Sequence, residues 1–253
     1  MLNLENFFIE KNITSIGFDL DNTIFDTDPY YIRIKDAIFK DFVTAYFPKE
    51  QRDEVFKKLD EFAAKRYDDR YLNGLKPILI HEEYSKTILE FFPKTSAEEI
   101  DRILKPYTED FYHKSPPLFA EAIEFLNLLS RIPTIRNIFG ATDAQEDWSR
   151  IKAECVLENT ELKEFPFFST DLSVRKDADW WSSIFPKLGE SPENVMIVGD
   201  NYHSDIYTSA LAGVKLGIWV NRRGKSMDDV SKYILPEDSE MIVVKDLNEI
   251  LSL

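Results

Sequence analysis

Hydrophobic and polar residues follow different patterns along the chain, and the pattern changes twice. A short apolar run at residues 13–18 is followed by Asp19 and Asp21, which predicts a buried strand that ends at two carboxylates. Between about residues 29 and 111, apolar residues recur at helical spacing without an intervening strand, which predicts four amphipathic helices. From residue 118 onward, helical and strand patterns alternate.

The alternating part of the chain predicts a parallel sheet. Its strands are expected at 135–141, 165–169, 195–198, 216–220 and 241–244. Together with the first strand, this order predicts an α/β fold with a Rossmann-like parallel sheet core and helices on both faces. The helical part predicts an inserted all-α helical-bundle cap. We therefore expect an α/β core formed by residues 1–25 and 115–253, and a helical cap formed by residues 26–114.

Local signals mark the helix ends inside the insert. Asn73-Gly74 predicts the end of the second helix, and the third helix is expected from Ile78 to Phe92. Ser96 and Glu99 form a capping-box pattern, which predicts the start of the fourth helix.

The charge of the chain limits its partners. The formal net charge is -15 over 253 residues, which disfavours nucleic acid and anionic membranes as partners. The segment 26–114 is nearly balanced, with 16 Lys and Arg against 19 Asp and Glu, so most of the negative charge lies in the expected core. If the substrate is an anion, a divalent cation is the simplest way to offset this charge.

Few features of the sequence indicate the cellular compartment of the protein. Cys155 is the only cysteine, so no intrachain disulfide can form, and nothing in the sequence requires an oxidising compartment. The first eleven residues lack the apolar run of a signal peptide, and no apolar run approaches the length of a membrane span. We expect a soluble cytoplasmic protein, and the sequence leaves its oligomeric state open.

Polar side chains follow the predicted strands where they end. These residues are Asp19, Asp21, Thr142 and Asp200, and Lys176 and Asp205 lie in the segments beside them. The carboxyl ends of parallel strands meet at one edge of a sheet, where ligands bind in open α/β folds. Each residue also has an ordinary explanation as a turn, a helix cap or a solvated side chain.

The order of these residues resembles the four motifs of the haloacid dehalogenase superfamily. Asp-x-Asp-x-Thr spans 19–23, Thr142 follows a strand, Lys176 is isolated, and Gly-Asp-x-x-x-x-Asp spans 199–205. The helical insert lies at the family's common cap position, directly after the first motif. The resemblance implies a magnesium-dependent phosphatase that hydrolyses a small phosphorylated metabolite through an aspartyl-phosphate intermediate.

The resemblance also implies catalytic roles. Asp19 would be the nucleophile, and Asp21 would protonate the leaving alcohol and then deprotonate the attacking water. Thr142 and the following backbone N–H groups would bind the phosphoryl group, and Lys176 would neutralise its charge. The namesake dehalogenases lack the second aspartate of the first motif, so Asp21 favours phosphoryl chemistry.

The implied cofactor is Mg²⁺, which prefers oxygen ligands. The carboxylates of Asp19 and Asp200 would bind it, together with the backbone carbonyl of Asp21. Asp205 would be a further ligand, either directly or through a water molecule.

The sequence departs from the common family motifs at two positions, and two alternative functions remain open. Asp143 and Asp177 stand where many relatives have Asn and Pro. A phosphotransferase such as a sugar-phosphate mutase would use the same intermediate and exclude water. A non-catalytic ligand-binding protein on the same scaffold is the other alternative.

Five further residues carry expectations. Gly17, Gly140 and Gly199 lie close to strand-end polar residues and are expected to let the backbone approach a ligand closely. His203 is expected to have a surface or packing role, and Arg222 is expected in a solvated turn.

The near-balanced cap supplies cations that could meet an anionic substrate. Arg33, Lys35, Arg70 and Lys76 are the candidates. We hypothesise that at least one of them contacts the leaving group of the substrate.

Overall fold

A computed structural model describes residues 2–72, 79–108 and 111–252 of the chain. By their contacts, the residues fall into two compact units, one within 1–27 and 115–253 and the other within 28–114. Thr27 is the last residue of the first segment, and its buried hydroxyl donates both to the Asp21 carboxylate and to the Phe25 carbonyl.

The first unit contains a sheet of six strands, and every neighbouring pair is parallel. The strands are β1 (Ser15–Phe18), β2 (Asn137–Thr142), β3 (Phe167–Ser169), β4 (Val195–Gly199), β5 (Leu216–Val220) and β6 (Glu240–Val244). Their order in the sheet is β3-β2-β1-β4-β5-β6, so β1 lies between β2 and β4. The predicted Rossmann-like parallel sheet is confirmed.

The described residues form ten α-helices. They are α1 (Leu2–Glu10), α2 (Asp28–Tyr46), α3 (Arg52–Leu72), α4 (Ile80–Phe91), α5 (Ala97–Thr108), α6 (Ala120–Leu129), α7 (Glu146–Asn159), α8 (Ala178–Leu188), α9 (Thr208–Leu211) and α10 (Met227–Val230). Short 3₁₀ turns occupy Lys49–Gln51, Phe111–His113, Pro192–Asn194 and Leu247–Ser252, and a π-helix spans Tyr202–Tyr207. The sequence pattern did not predict α1, whose Leu4 and Phe8 are buried in the core of the first unit.

The central strands are buried on both faces. Every residue of β1, β4 and β5 is buried, which explains why these strands are continuous apolar runs rather than alternating ones. A Cβ at Gly17 would lie 2.5 Å from the Phe139 ring, and a Cβ at Gly140 would lie 3.0 Å from the Leu20 side chain. The expectation that these glycines open the backbone to a ligand is wrong, because the protein's own side chains fill that space.

The second unit has its own apolar core, formed where α2, α3, α4 and α5 pack together. Its fully buried side chains include Ile38, Phe39, Phe42, Leu59, Ile88 and Ile100. The predicted capping box is confirmed at the start of α5. The Glu99 N–H donates to Ser96 Oγ at 3.2 Å, and Ser96 N–H donates to Glu99 Oε2 at 3.0 Å.

Part of the sequence prediction for the insert lies outside the described residues. This applies to the helix break at Asn73-Gly74, to Ile78 and Lys76, and to the side chain of Arg70. Lys35 forms ion pairs with Asp60 and Asp36 within the second unit, and Arg33 is exposed. In the described ranges, no helix has the length and apolar character that crossing a membrane requires.

Candidate active site

The motif after β1 folds into a tight turn. Asn22 has a φ of 59°, a left-handed conformation that Asn tolerates better than most residues. The chain then turns back, so that the Phe25 N–H donates to the Leu20 carbonyl at 3.0 Å. This reversal brings the Thr23 hydroxyl to within 3.3 Å of Asp19 Oδ2, which explains the spacing of Asp and Thr in the motif.

Three carboxylates converge beside the end of β1. One oxygen from each of Asp19, Asp200 and Asp205 lies within 4.8 Å of the others. Asp19 follows β1 and Asp200 follows β4, and the strand order reverses between these two neighbouring strands. In open parallel sheets this point of reversal is where a crevice forms. The predicted residues are therefore close in space despite their separation in sequence.

The π-helix positions the third carboxylate. Asp205 is fully buried, and its Oδ2 accepts the Asn201 N–H at 2.9 Å. A Cβ at Gly199 would lie 2.5 Å from Asp205 Cγ, so glycine is needed there to make room for the carboxyl group. This is the third glycine whose free side faces the protein itself rather than a ligand.

Lys176 joins two of these carboxylates. Its Nζ lies 2.6 Å from Asp19 Oδ1 and 2.5 Å from Asp205 Oδ1, and it also donates to the Ala141 carbonyl at 3.3 Å. Burial alone would lower the pKa of Lys176, but the carboxylates of Asp19 and Asp205 outweigh it and raise that pKa. Lys176 therefore remains a cation in the middle of the cluster.

The backbone of Lys176 is held by neighbouring side chains. Asp143 Oδ1 accepts the Lys176 N–H at 3.2 Å, and the Thr208 hydroxyl donates to the Lys176 carbonyl at 2.8 Å. Asp177 caps α8 by accepting the Trp180 N–H at 2.9 Å. The two departures from the common family pattern, Asp143 and Asp177, thus fix the lysine loop. Burial raises the pKa of Asp143, and Lys176 opposes this shift.

The carboxylate of Asp21 turns away from the acidic cluster. Its Oδ1 accepts two hydrogen bonds, one from Lys152 Nζ at 2.6 Å and one from the Thr27 hydroxyl at 2.9 Å. The Asp21 side chain is 25% exposed, whereas that of Asp19 is 9% exposed. The two aspartates of the motif therefore have different partners and different contact with solvent.

Lys152 is a site residue that the sequence motifs did not predict. This residue lies on α7 and is completely buried, with its Nζ 3.4 Å from the centroid of the Trp148 ring. A signal was present in the sequence, because Trp148, Lys152 and Val156 recur at a spacing of four and share one face of the helix. A buried lysine on an otherwise apolar face requires a partner of opposite charge, and Asp21 provides it.

Thr142 lies at the same edge of the sheet. β1 and β2 are paired with Phe18 opposite Gly140, which places Thr142 level with the first residues after β1. Thr142 is buried, and its Oγ1 accepts the Ala144 N–H at 3.3 Å. The hydroxyl thus braces the turn that leads to α7, and among the described residues it forms no hydrogen bond with Asp19 or Lys176.

Arg222 lies in a turn as expected, but the expectation that it is solvated is wrong, because most of its side chain is buried. Its guanidinium donates to the carbonyls of Asn22 at 3.0 Å and Thr23 at 3.2 Å, and it forms an ion pair with Glu121 at 2.8 Å. The same group stacks 3.7 Å from the centroid of the Phe119 ring. Arg222 therefore braces the turn that carries the motif.

His203 is half-buried among aromatic rings. Its ring centroid lies 4.5 Å from that of Tyr233 and 5.9 Å from that of Tyr207. Burial lowers the pKa of His203, and the positive charges of Arg175 and Lys232 lower it further. These contacts agree with the expected packing role.

The acidic cluster fits a hard divalent cation. Its donors are carboxylate oxygens, which Mg²⁺ prefers. Burial raises the pKa of Asp19, and Asp205, Asp200 and Asp21 add to that effect, while Lys176 opposes it. A divalent cation among these groups would reverse this repulsion and keep Asp19 ionised.

The comparisons with known proteins agree with this arrangement. The family described as haloacid dehalogenase-like hydrolase matches residues 16–219. No curated protein matches the chain.

Several solved structures are similar in fold. One is a putative HAD-hydrolase from Bacillus subtilis bound to magnesium, with 15% identity, a TM-score of 0.61, and coverage of 95% of this chain and 97% of that one. A 2-haloacid dehalogenase from Pseudomonas syringae shows 18% identity, a TM-score of 0.55, and coverage of 95% and 98%. A putative β-phosphoglucomutase from Thermotoga maritima shows 12% identity, a TM-score of 0.59, and coverage of 95% and 97%.

These identities establish a shared fold, and the family match extends over most of the chain. It begins in β1, at the strand that leads to Asp19, and ends in β5, beyond the acidic cluster. The chain belongs to the haloacid dehalogenase-like hydrolases.

Proposed function

We propose that the protein is a magnesium-dependent phosphatase that hydrolyses a small phosphorylated metabolite through an aspartyl-phosphate on Asp19. The observation that carries this proposal is the cluster of Asp19, Asp200 and Asp205, in which the buried Lys176 pairs with Asp19 and Asp205. A carboxylate nucleophile can displace the leaving group only where the charge of the phosphoryl oxygens is offset. Asp21 also supports phosphoryl chemistry, because it supplies a second carboxylate for proton transfer beside the nucleophile.

In the first step, an Asp19 oxygen attacks phosphorus, and the bond between phosphorus and the ester oxygen breaks. The leaving alcohol takes a proton from the carboxyl of Asp21. Lys176 already holds Asp19 Oδ1 at 2.6 Å, so it orients the nucleophile and offsets negative charge without further movement.

In the second step, Asp21 takes a proton from a water molecule, and that water attacks the phosphorus of the aspartyl-phosphate. Inorganic phosphate leaves, and the Asp19 carboxylate is regenerated. Mg²⁺, held by the carboxylates of Asp19, Asp200 and Asp205 and by the backbone carbonyl of Asp21, would act as a Lewis acid that offsets charge on the phosphoryl oxygens. The magnesium reported for the Bacillus subtilis structure supports this choice of metal.

Thr142 and the backbone N–H groups before α7 are proposed to bind the phosphoryl group. The turn after β2 presents these groups at the sheet edge, where the N-terminus of α7 favours an anion. We also propose that residues 28–114 act as the cap and supply substrate specificity.

The test is the release of inorganic phosphate from an aryl phosphate and from a panel of phosphorylated metabolites, with Mg²⁺ and with chelator. We expect activity that requires Mg²⁺ and that falls by about 10⁴-fold or more in Asp19→Asn, which removes the nucleophile. Activity that survives both chelation and Asp19→Asn would refute the proposal.

Two other products would indicate the reactions named for two of the similar structures rather than phosphate hydrolysis. Halide released from a 2-haloacid would indicate the dehalogenase reaction, and phosphate transferred to an isomeric sugar would indicate a mutase. Either result in place of free phosphate would replace the proposed reaction.

A further inference from the structure

Lys152 is a second buried cation beside the candidate active site. Its side chain is inaccessible to solvent, and its Nζ lies 2.6 Å from Asp21 Oδ1. This is the one ion pair that Lys152 makes with the described part of the chain. Since a buried ammonium without a counter-charge is costly, the Asp21 carboxylate is the group that stabilises the charged form of Lys152.

The surroundings of Lys152 fix the direction of its ammonium group. The Nζ lies 3.4 Å from the centroid of the Trp148 ring and 6.0 Å from that of the Phe25 ring, so two aromatic rings lie beside the cation. Because α7 holds both Trp148 and Lys152, the position of the ammonium depends on the helix and not on a mobile loop.

Both contacts to Asp21 reach the same oxygen. Lys152 and the Thr27 hydroxyl donate to Oδ1, whereas Oδ2 accepts no hydrogen bond from the described residues. The Asp21 side chain keeps a quarter of its surface exposed, so Oδ2 remains accessible. The carboxylate is therefore held at one end and open at the other.

We propose that Lys152 is a positioning residue for Asp21, which fixes Oδ1 so that Oδ2 is the oxygen that exchanges protons with the leaving group and with water. This inference rests on the proposed phosphatase mechanism. Proton transfer requires the acid to lie within hydrogen-bond reach of the reacting oxygen, and a fixed carboxylate keeps that geometry in both steps. Lys152 contacts neither phosphate nor substrate and acts only through Asp21.

The first test is structural and does not depend on activity. Lys152→Met removes the ammonium but keeps an apolar chain against Trp148. We expect crystals of the wild type to show a single Asp21 rotamer with Oδ1 on Lys152, and crystals of Lys152→Met to show Asp21 in a different rotamer or in several. An unchanged Asp21 rotamer in the variant would overturn the proposal, even if the wild type proved not to be a phosphatase.

The second test is kinetic and uses two substrates with different leaving groups. For an alkyl phosphate, whose leaving oxygen needs a proton, Lys152→Met should lower kcat on the order of 30-fold with KM within about twofold. For nitrophenyl phosphate, whose leaving group needs little protonation, the first step should continue while hydrolysis of the aspartyl-phosphate slows. We then expect a burst of nitrophenol equal to the enzyme concentration, followed by slow turnover.

Arg150→Met is the matched control, because Arg150 is an exposed cation on the same helix and pairs only with Glu146 and Asp147 among the described residues. It should behave like the wild type.

A general loosening of the site in Lys152→Met would instead raise KM and slow the turnover of both substrates equally, without a burst. That result would overturn the positioning role. A wild type without magnesium-dependent phosphate release would count against the proposed function, and the Asp21 rotamer would still decide the role of Lys152.

Discussion

The nucleophile side and the acid/base side of the candidate site each contain a buried lysine, but the two lysines are held differently. Lys176 donates to two carboxylates and one backbone carbonyl, so oxygen atoms surround its ammonium group. Lys152 donates to the single carboxylate of Asp21 and otherwise faces aromatic rings.

Burial lowers the pKa of both lysines, and the number of nearby carboxylates decides the net direction. At Lys152, burial outweighs Asp21 and the pKa is lowered. At Lys176, Asp19 and Asp205 outweigh burial and the pKa is raised. The comparison shows that two equally buried lysines can differ in role. Lys176 links two carboxylates, whereas Lys152 binds a single one. The same substitution at the two positions should therefore have different consequences.

Lys176→Met should produce the largest loss of stability. It leaves the buried carboxylates of Asp19 and Asp205 without their cation, which should lower the free energy of unfolding by about 3–5 kcal/mol. Urea unfolding in the presence of chelator measures this, with the exposed Lys163→Met as the control. A loss below about 1 kcal/mol would contradict the network described for Lys176.

Magnesium should stabilise the fold through the carboxylates of the acidic cluster and without the Lys152 ammonium group. At a free Mg²⁺ concentration 100 times its Kd, binding to the folded protein should stabilise it by about 2.7 kcal/mol. Asp200→Asn should reduce this gain because it removes one carboxylate of the cluster, whereas Lys152→Met should retain it. Thermal unfolding with and without Mg²⁺ is the measurement, and an equal gain in Asp200→Asn would place the metal elsewhere.

Gly199→Ala tests how closely the acidic cluster is packed. The new methyl group would displace the Asp205 carboxyl, so we expect a loss of about 1–3 kcal/mol in stability and weaker Mg²⁺ binding. Gly217→Ala in the neighbouring strand is the control, because its methyl group would meet the Ile206 side chain at 3.0 Å and leave the carboxyl in place. If both variants bound Mg²⁺ equally well, Gly199 would not be needed to position Asp205.

Lys152→Met should have the smallest effect on stability. The Asp21 carboxylate is partly exposed and can be hydrated when the lysine is removed, so the free energy of unfolding should stay within about 1 kcal/mol of the wild type. The comparison with Lys176→Met in the same urea experiment is decisive. Equal losses at both positions would mean that the two lysines are held in the same way.

The site residues that could be predicted from the sequence are those that lie at the ends of strands. Asp19, Thr142 and Asp200 come directly after or at the end of apolar strands, and parallel strands bring such residues to one edge whatever the helices between them do. Lys176 was found through its place in the motif order, because nothing in its local pattern distinguishes it from a solvated loop lysine.

The strand-end pattern could not predict the roles of Lys152, Thr27 and Arg222. Their roles depend on pairs more than a hundred residues apart or on the geometry of a turn, as in the contact of Lys152 with Asp21 and of Arg222 with Asn22. A helical pattern shows that Lys152 shares a face with Trp148, but it does not show which strand that face meets. The role of the glycines was wrongly predicted for the same reason, since the side chains that meet them come from other segments of the chain.

The position of β1 at the centre of the sheet has a consequence for the order in which the chain folds. Ser15 pairs with Asn137 on one side and with Val195 on the other, so the strand that carries the nucleophile has no sheet partner until much later segments are synthesised. The helical unit within 28–114 has its own apolar core and closes over short distances along the chain, which favours fast folding. On the ribosome, Asp19 thus emerges well before β2 and β4, and the apolar strand that precedes it stays without its sheet partners until both have followed.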